Sequence, residues 1–461
     1  MKHPREYRGL EVVVLGLARS GVAAAKLFHQ IGAVVTVNDK KDRTACPEAD
    51  ELEALGISVV CGYHPDSLVH EGVALVVKNP GIPYSVEPVR RAEALGIEVV
   101  TEVEVAYLFC EAPIIGITGS NGKTTTTTLI GLMLDAAGLK PVVAGNIGRA
   151  LTEAAPEVTA ENTMVVELSS FQLKGTTSFR PAIGLLLNFF ETHLDYHGTM
   201  EDYISSKAKI FANQTQDDTA ILNWDDAVCR AMIPNLKAKV IPFSTKEKLS
   251  EGAYLDNGML VYADGRGDVQ TIMPASEMGM AGSFNVGNAL AAAAAAITAG
   301  VPLEAIASVL RSFTGVEHRL EFVRELNGVS FYNNSKATNA AASISSIEAL
   351  DQPIVLIAGG LDRGSDYMEL LPIFRERIKG LVTLGQTREK INHVAELAGI
   401  SRLQTVDTAN AADAVEQAVQ LAWQMSEPGD IVLLSPACAS WDMFPSYEIR
   451  GGMFKESVHN L

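Results

Sequence analysis

Cysteine is scarce and unpatterned: Cys46, Cys61, Cys110, Cys229 and Cys438 are the only five in 461 residues, and no two form a CxxC pair. An odd, scattered set makes a poor disulfide framework and lacks structural-zinc spacing, so a reducing cytoplasm is the expected setting. Positive charge is also short: 37 Lys and Arg face 55 Asp and Glu, a formal net charge of -18. Such a surface repels phosphate backbones and anionic lipid, so neither nucleic acid nor a membrane is an expected partner. An anionic substrate would need a local basic lining. Long hydrophobic runs are missing. The most apolar stretch, Ala289 to Ala296, is too short and too weakly apolar to span a bilayer, and reads as a buried helix. Met1 to Gly9 is polar and charged, without a secretion pattern. Low-complexity tails and obvious internal repeats are likewise lacking.

What is present is an alternation of apolar strands and helices in three blocks. A chain of 461 residues exceeds what one core serves, so two to four domains are expected. The first block opens with the strand Glu11 to Leu15, the turn Gly16-Leu17-Ala18-Arg19-Ser20-Gly21 and an Ala-rich helix. A strand from Ala33 to Val37 ends at Asn38-Asp39, and apolar runs follow at Val73 to Val77 and Ile97 to Val100. The second block begins at Pro113 to Ile117 and continues through Val165-Val166 and Ala182 to Leu187. From Leu222 to Met280, short runs with turns such as Asp256-Asn257-Gly258 read as an extension of its sheet. The third block has strands near Ile354 to Ile357, Gly380 to Leu384 and Ile431 to Leu434. Continuous Val and Ile strands alternating with helices predict an α/β protein with parallel sheets covered on both faces. Joints are expected near Thr101 to Glu104 and Thr314 to Val316, giving domains over 1–101, 102–314 and 315–461.

The strongest local signal lies in the second block. Strand Ile114 to Ile117 leads into Thr118-Gly119-Ser120-Asn121-Gly122-Lys123-Thr124-Thr125 and then an apolar helix. Two glycines let backbone N–H groups approach phosphate oxygens, and the helix start adds its positive dipole end. Lys123 brings charge to the β- and γ-phosphates, and Thr124 offers a hydroxyl to Mg²⁺. The loop is a shortened variant: Ile117 stands where GxxxxGK[ST] has its first glycine. A Gly-rich turn capped by threonines gives no reason for a lysine at the helix start, so ATP is the expected ligand. Glu167 follows Met164-Val165-Val166 and so falls at the carboxyl edge of a parallel strand, where ligands bind.

The amino-terminal turn is more open. Gly16-x-Ala18-x-x-Gly21 after a strand, with Asp39 closing the next, has the form of a dinucleotide fingerprint with Ala in the middle. Alone it is compatible with an NAD-dependent dehydrogenase, with a domain that takes the diphosphate and uridine of a UDP-sugar, or with tight strand–helix packing. A second phosphate loop downstream is unexpected in a simple dehydrogenase. Arg19 or the turn Lys78-Asn79-Pro80-Gly81 could supply positive charge and backbone donors.

Taken together, the motifs resemble the Mur ligase family. The loop TGSNGKTTT followed by Gly145-Asn146-Ile147-Gly148 carries the first part of the likeness. Glu167 to Leu173, His193-Leu194-Asp195-Tyr196-His197-Gly198 and Tyr203 to Lys209 are similar to the family's metal-binding strand end, central His motif and carbamylated-lysine segment. Gly282 to Ala289 and His318-Arg319-Leu320-Glu321 resemble its nucleotide-base and hinge motifs. Within the family, Ser335-Lys336-Ala337-Thr338-Asn339 and Ser435 to Asp442, with the turn after the first strand, are similar to the branch that adds D-glutamate. The DNPR-type string of the diaminopimelate- or lysine-adding branch is absent.

The resemblance implies a Rossmann-like UDP-binding domain, a central P-loop ATPase-like domain and a C-terminal Rossmann-like domain. It implies a cytoplasmic enzyme of peptidoglycan synthesis, expected as a monomer. Its substrates would be ATP, D-glutamate and UDP-N-acetylmuramoyl-L-alanine, joined through an acyl phosphate. Two Mg²⁺ ions are implied, held by Thr124 and Glu167 and by His193 and a carbamate on Lys207, with Lys123 and Lys336 as further catalytic residues. Carbamylation needs a neutral amine, which a partly buried lysine provides through a lowered pKa. ATP contacts are implied for Asn288, Arg319 and Asn334 besides the loop, and UDP-substrate contacts for Gly16, Ala18, Arg19, Ser20, Asp39, Asn79, Gly81, Asn146, Ser169 and His193. D-Glutamate would meet Lys336, Arg363, Thr338, Ser440 and Tyr447. His197 is read as structural. One departure stands out: the family pattern NDSKATN has Asp where this chain has Asn334, which bonds a hydroxyl without charge. Domain closure about Thr314 to His318 is also expected. Two other readings stay in view: another Mur-type or folylpolyglutamate-type ligase, and a nucleotide-gated binding protein without catalysis.

Overall fold

The computed structural model describes residues 1–280 and 282–461, with the side chains of Asp195, Ser283 and Phe284 outside the description. The chain forms two compact units, Met1–Glu277 with Asn285–Leu310, and Met278–Phe284 with Arg311–Leu461.

The first unit holds two sheets. One contains β1 (Glu11–Leu15), β2 (Val34–Asp39), β3 (Ser58–Cys61), β4 (Val73–Lys78) and β5 (Val99–Val100), all parallel, in the order β3-β2-β1-β4-β5. The run of valines in β1 is explained by its place at the centre. Val12 and Val14 enter a core with Phe28 and Leu52 on one face, while Val13 and Leu15 enter a second core with Val76 and Val89 on the other. Strand order reverses between β1 and β4, which opens a crevice at their carboxyl ends. Gly16 and Asn79 meet there, so closely that a Cβ on Gly16 would lie 2.8 Å from that of Asn79.

The other sheet contains β6 (Ile114–Thr118), β7 (Pro141–Gly145), β8 (Thr163–Glu167), β9 (Ile183–Leu186), β10 (Thr219–Asn223), β11 (Lys239–Ser244), β12 (Glu251–Asp256), β13 (Met259–Asp264) and β14 (Val269–Pro274), in the order β14-β13-β12-β11-β10-β9-β6-β8-β7. It is parallel from β7 to β12. The extension read between Leu222 and Met280 is present, and its last two pairings, β12–β13 and β13–β14, are antiparallel. The reason is local: Asn257 (φ 48°) and Gly258 (φ 79°) both take positive φ, the two-residue turn that folds a strand back on itself. Ala289 to Ala296 are fully buried, as expected of a core helix.

The second unit is built on β15 (Glu321–Leu326), β16 (Val329–Asn333), β17 (Ile354–Ala358), β18 (Ile378–Thr383), β19 (Leu403–Thr405) and β20 (Ile431–Leu434), ordered β15-β16-β20-β17-β18-β19. Only β15–β16 is antiparallel, and another Asn-Gly pair, Asn327-Gly328, makes that turn. Leu356 and Val355 point into separate cores on the two faces.

The segment read as a joint, Thr101 to Glu104, is buried. The Glu104 carboxylate accepts from the backbone N–H groups of Thr177, Ser178 and Phe179 and from the Thr177 hydroxyl, and Glu102 accepts from the N–H and hydroxyl of Thr152. Burial raises the Glu102 carboxyl above the usual carboxylate range. Removing a buried multiple acceptor leaves its donors unsatisfied. Glu104→Ala is therefore expected to lower the free energy of urea unfolding by about 3 kcal/mol, and a loss near zero would show that these bonds are replaced by water.

Candidate active site

The carboxyl edge of β6, β7 and β8 collects the phosphate-loop residues. Gly119 (φ 156°) and Gly122 (φ 82°) take conformations that favour glycine, and a Cβ on Gly122 would fall 2.2 Å from Asn288 Oδ1. The loop is braced from the next strand end: Asn188 accepts from the Asn121 N–H (2.9 Å) and donates to the Asn121 carbonyl. The Ser120 hydroxyl meets the Tyr203 hydroxyl at 2.8 Å and accepts from the Phe190 N–H. Lys123 donates to the carbonyls of Gly119 and Ser120, both at 2.8 Å, and so lies folded over the loop. Thr124 is the second residue of the helix Lys123–Ala136 and is buried, with half-buried Thr125 next to it.

Thr124 donates its hydroxyl to Glu167 Oε2 at 2.8 Å, and Asn146 donates its amide to Glu167 Oε1 at 2.7 Å. Glu167 is fully buried at the end of β8. Three predicted residues therefore share one carboxylate. Beside them, Lys207 on the helix Met200–Ala208 is only 2% exposed. Its amine donates to the Gly119 carbonyl (2.8 Å) and the Thr118 hydroxyl (3.4 Å), and lies 4.8 Å from the centre of the Tyr203 ring. Burial, helped by the charge of Lys123, holds this amine well below the usual lysine range. A neutral amine is what a carbamate requires.

His193 is exposed, in the left-handed region (φ 59°) at the start of the short helix Leu194–His197, with Phe171 5.0 Å from its ring. His197 is buried between Asp202 (2.6 Å) and the Ser170 hydroxyl (3.0 Å), consistent with a structural role. Ser169 caps the helix Ser170–Lys174 in a reciprocal capping box with Gln172, which occupies its hydroxyl.

In the first sheet, Gly16, Ala18, Arg19, Ser20, Asp39, Asn79 and Gly81 gather around the switch-point crevice. Asp39 accepts from the Leu17 N–H (2.8 Å) and the Lys41 N–H (2.9 Å). Arg19 reaches the Gly148 carbonyl, beside Asn146. Gly21 explains the third glycine: a Cβ there would lie 2.0 Å from the Gly16 carbonyl oxygen.

The remaining predicted residues belong to the second unit. Lys336 sits 5.5 Å from the centre of the Tyr447 ring, and the Arg363 guanidinium 5.1 Å from that of Trp441. Ser440 is buried and Thr338 half-buried. Arg319 is exposed. Asn334 is buried: its amide donates to the hydroxyls of Ser346 and Ser435, and its oxygen accepts from the Leu320 N–H (3.1 Å). Arg450, not singled out in the sequence, lies at the centre. It is 1% exposed and donates to the hydroxyl and carbonyl of Ser335 and the carbonyl of Cys438, tying the Ser335–Asn339 segment to Ser435–Ser440. Burial lowers its pKa to about 10. Its sequence signal was a lone arginine on a polar helix. Asn188 was missed likewise, although it follows a strand at the ligand edge.

Family descriptions match the chain in the order of its sheets: "Mur ligase MurD-like, N-terminal domain" over residues 10–101, "Mur ligase middle domain" over 117–296 and "Mur ligase, glutamate ligase domain" over 318–438. The chain belongs to the Mur ligase family. Within it, proteins named UDP-N-acetylmuramoylalanine--D-glutamate ligase are similar along their whole length. That of Geobacillus sp. (strain WCH70) is 48% identical over 100% of both chains, and that of Listeria monocytogenes serotype 4b (strain F2365) is 46% identical over 100% of this chain and 99% of its own. Among solved structures, the MurF ligase of Thermotoga maritima in complex with ADP shares the fold at 16% identity, with a TM-score of 0.55 over 100% of this chain and 97% of its own. The UDP-N-acetylmuramate-alanine ligase of the same organism matches at a TM-score of 0.56 and 16% identity, over 98% and 99%.

The fit of Gly122 against Asn288 gives a direct test of the loop. Gly122→Ala is expected to weaken ATP binding at least about tenfold, a change of about 1.4 kcal/mol, measured by titration calorimetry. Unchanged affinity would show that this loop does not hold the nucleotide.

Proposed function

We propose that the chain joins D-glutamate to UDP-N-acetylmuramoyl-L-alanine in an ATP-dependent reaction that releases ADP and phosphate. The reading rests on one observation above the rest: a buried Lys207 amine seated on the phosphate loop, beside the Thr124–Glu167 pair. The 46–48% identity to D-glutamate ligases over the full chain supports the choice of substrates.

A carboxylate is a poor electrophile. Attack by the alanyl carboxylate oxygen on the γ-phosphorus of ATP makes an acyl phosphate and frees ADP. The neutral amine of D-glutamate then attacks the acyl carbon, and collapse of the tetrahedral intermediate forms the amide, expels phosphate and releases a proton. Both steps concentrate negative charge, so fixed cations and donors at the loop lower the barrier. Lys123 would follow the transferring phosphoryl group, and Asn146 would orient the substrate carboxylate.

The donor set fits magnesium: the Thr124 hydroxyl and Glu167 carboxylate are hard oxygens 2.8 Å apart at the loop. Thr124 and Glu167 would hold one ion on the nucleotide, and His193 with a Lys207 carbamate a second. These ions would neutralise phosphate charge. The carbamate forms when the neutral Lys207 amine adds CO₂ and loses a proton. In the first sheet, the Gly16–Gly21 turn, Asp39 and the Asn79–Gly81 turn receive the UDP moiety. In the second unit, Lys336, Thr338, Arg363, Ser440 and Tyr447 receive D-glutamate, with Arg450 ordering both segments.

Two measurements test this reading. Phosphate release with ATP, Mg²⁺ and UDP-N-acetylmuramoyl-L-alanine is expected to depend on D-glutamate within a panel of amino acids. Release with another amino acid instead would move the chain to a different branch of the family. Lys207→Ala is expected to lower turnover at least about 100-fold, about 2.7 kcal/mol in barrier, with partial recovery in acetate or propionate. Failure of that rescue would remove the carbamate.

A further inference from the structure

Lys78 ends β4 at the switch point, yet its side chain turns inward and is 1% exposed. Its amine donates to the carbonyls of Ile82 (2.8 Å), Pro80 (3.2 Å) and Asn79 (3.4 Å) and to the Tyr196 hydroxyl (3.2 Å). It also lies over two rings, 4.6 Å from the centre of Tyr84 and 5.9 Å from that of Tyr196. Among the described residues, every hydrogen-bond partner of this buried amine is neutral. Burial and the neighbouring Lys174 charge lower its pKa to about 7. A buried lysine without a carboxylate is costly, and a turn needs none to close, since the Ile82 N–H already bonds the Asn79 carbonyl at 3.0 Å.

What the amine does is join two places. On one side its acceptors are three carbonyls of the Asn79–Ile82 turn, whose Asn79 abuts Gly16. On the other is Tyr196, whose hydroxyl also reaches the Pro80 and Ile82 carbonyls at 3.1 and 3.3 Å. Tyr196 lies on the short helix that His193 begins, and the Phe171 ring packs against both, 4.5 Å from Tyr196 and 5.0 Å from His193. A continuous set of contacts thus runs from the turn of the first sheet to His193.

We propose that Lys78 is a positioning residue that fixes the Asn79–Ile82 turn to the Tyr196 helix, so that seating the UDP-substrate and placing His193 are one event. The inference rests on the reading that this turn receives the UDP-substrate. Lys78 and Tyr196 act through the turn and through His193.

Steady-state kinetics of the full chain test it, with Lys78→Met, Tyr196→Phe, the double variant and Asn79→Ala. Lys78→Met is expected to raise KM for UDP-N-acetylmuramoyl-L-alanine at least tenfold while KM for ATP stays within twofold. Tyr196→Phe, which keeps the ring and removes one hydroxyl, is expected to raise the same KM three- to fivefold, so the test survives if Lys78→Met fails to fold. The double variant is expected to be no worse than the more impaired single one, because both remove the same connection. Asn79→Ala separates the two readings. If it raises KM for the UDP-substrate while Tyr196→Phe leaves it unchanged, the connection is overturned and the turn's role stands. If Asn79→Ala also changes nothing, the turn does not bind substrate and the inference falls with that reading. An equal rise in KM for ATP would mark a general loss of structure and would likewise overturn it.

Discussion

The Lys207 amine rests on the Gly119 carbonyl in the interior, and the ligand edge of the second sheet is arranged around it. A charged amine left there without a paired acid would cost several kcal/mol, and burial accordingly holds its pKa well below the usual lysine range. The carboxylate in the neighbourhood, Glu167, is already committed to Thr124 and Asn146. Lys123, which bears on the same loop carbonyl, adds repulsion. The neutral amine is the reactive form toward CO₂. Under the proposed function, burial, which would be a defect in a structural lysine, is the condition for a carbamate on Lys207.

Glycines and asparagines set the spacing around this centre. Gly122 leaves room for Asn288, Gly119 for the strand end at Leu187, and Gly145 for the Glu167 carbonyl. Asn188 and Asn146 then fix the loop and the carboxylate from neighbouring strand ends. The first sheet repeats the logic: Gly16 admits Asn79, and Gly21 admits the Gly16 carbonyl. In both sheets the crowded positions lie at or just past the carboxyl ends of parallel strands, where backbone N–H groups and helix starts are available to phosphate.

Much of this was legible because it is local. The valines of β1, the phosphate loop, Glu167 at its strand end and the Asn257-Gly258 turn each carry their meaning within a few residues. The antiparallel edges were less visible. Asn327-Gly328 signals the β15–β16 hairpin as clearly as Asn257-Gly258 does the other, but β15 is half exposed and β16 is broken by Ser330 and Asn333, so neither has the apolar run that marks a buried strand. Residues that act across the fold carried no local signal of their own: Arg450 was not singled out, and Lys207 stood out only through the family resemblance. Arg450 holds Ser335 from 115 positions away, Lys78 meets Tyr196 across 118, and Lys207 meets Gly119 across 88. In sequence each is a cation of ordinary appearance, and only the fold makes it buried. Asn334 shows the converse. Its place in a motif suggested a nucleotide contact, and the fold adds bonds from its amide to Ser346 and Ser435 and from the Leu320 N–H to its oxygen.

Whether the loop, Glu167 and Lys207 work as one acyl-phosphate site is decided most directly by following an oxygen atom. With the alanyl carboxylate of UDP-N-acetylmuramoyl-L-alanine labelled with oxygen-18, mass spectrometry of the phosphate released during turnover reads out the bond that forms. The account predicts one labelled oxygen in each phosphate, carried over from the carboxylate. Phosphate without label would mean that the carboxylate never bonded to the γ-phosphorus, and would contradict it.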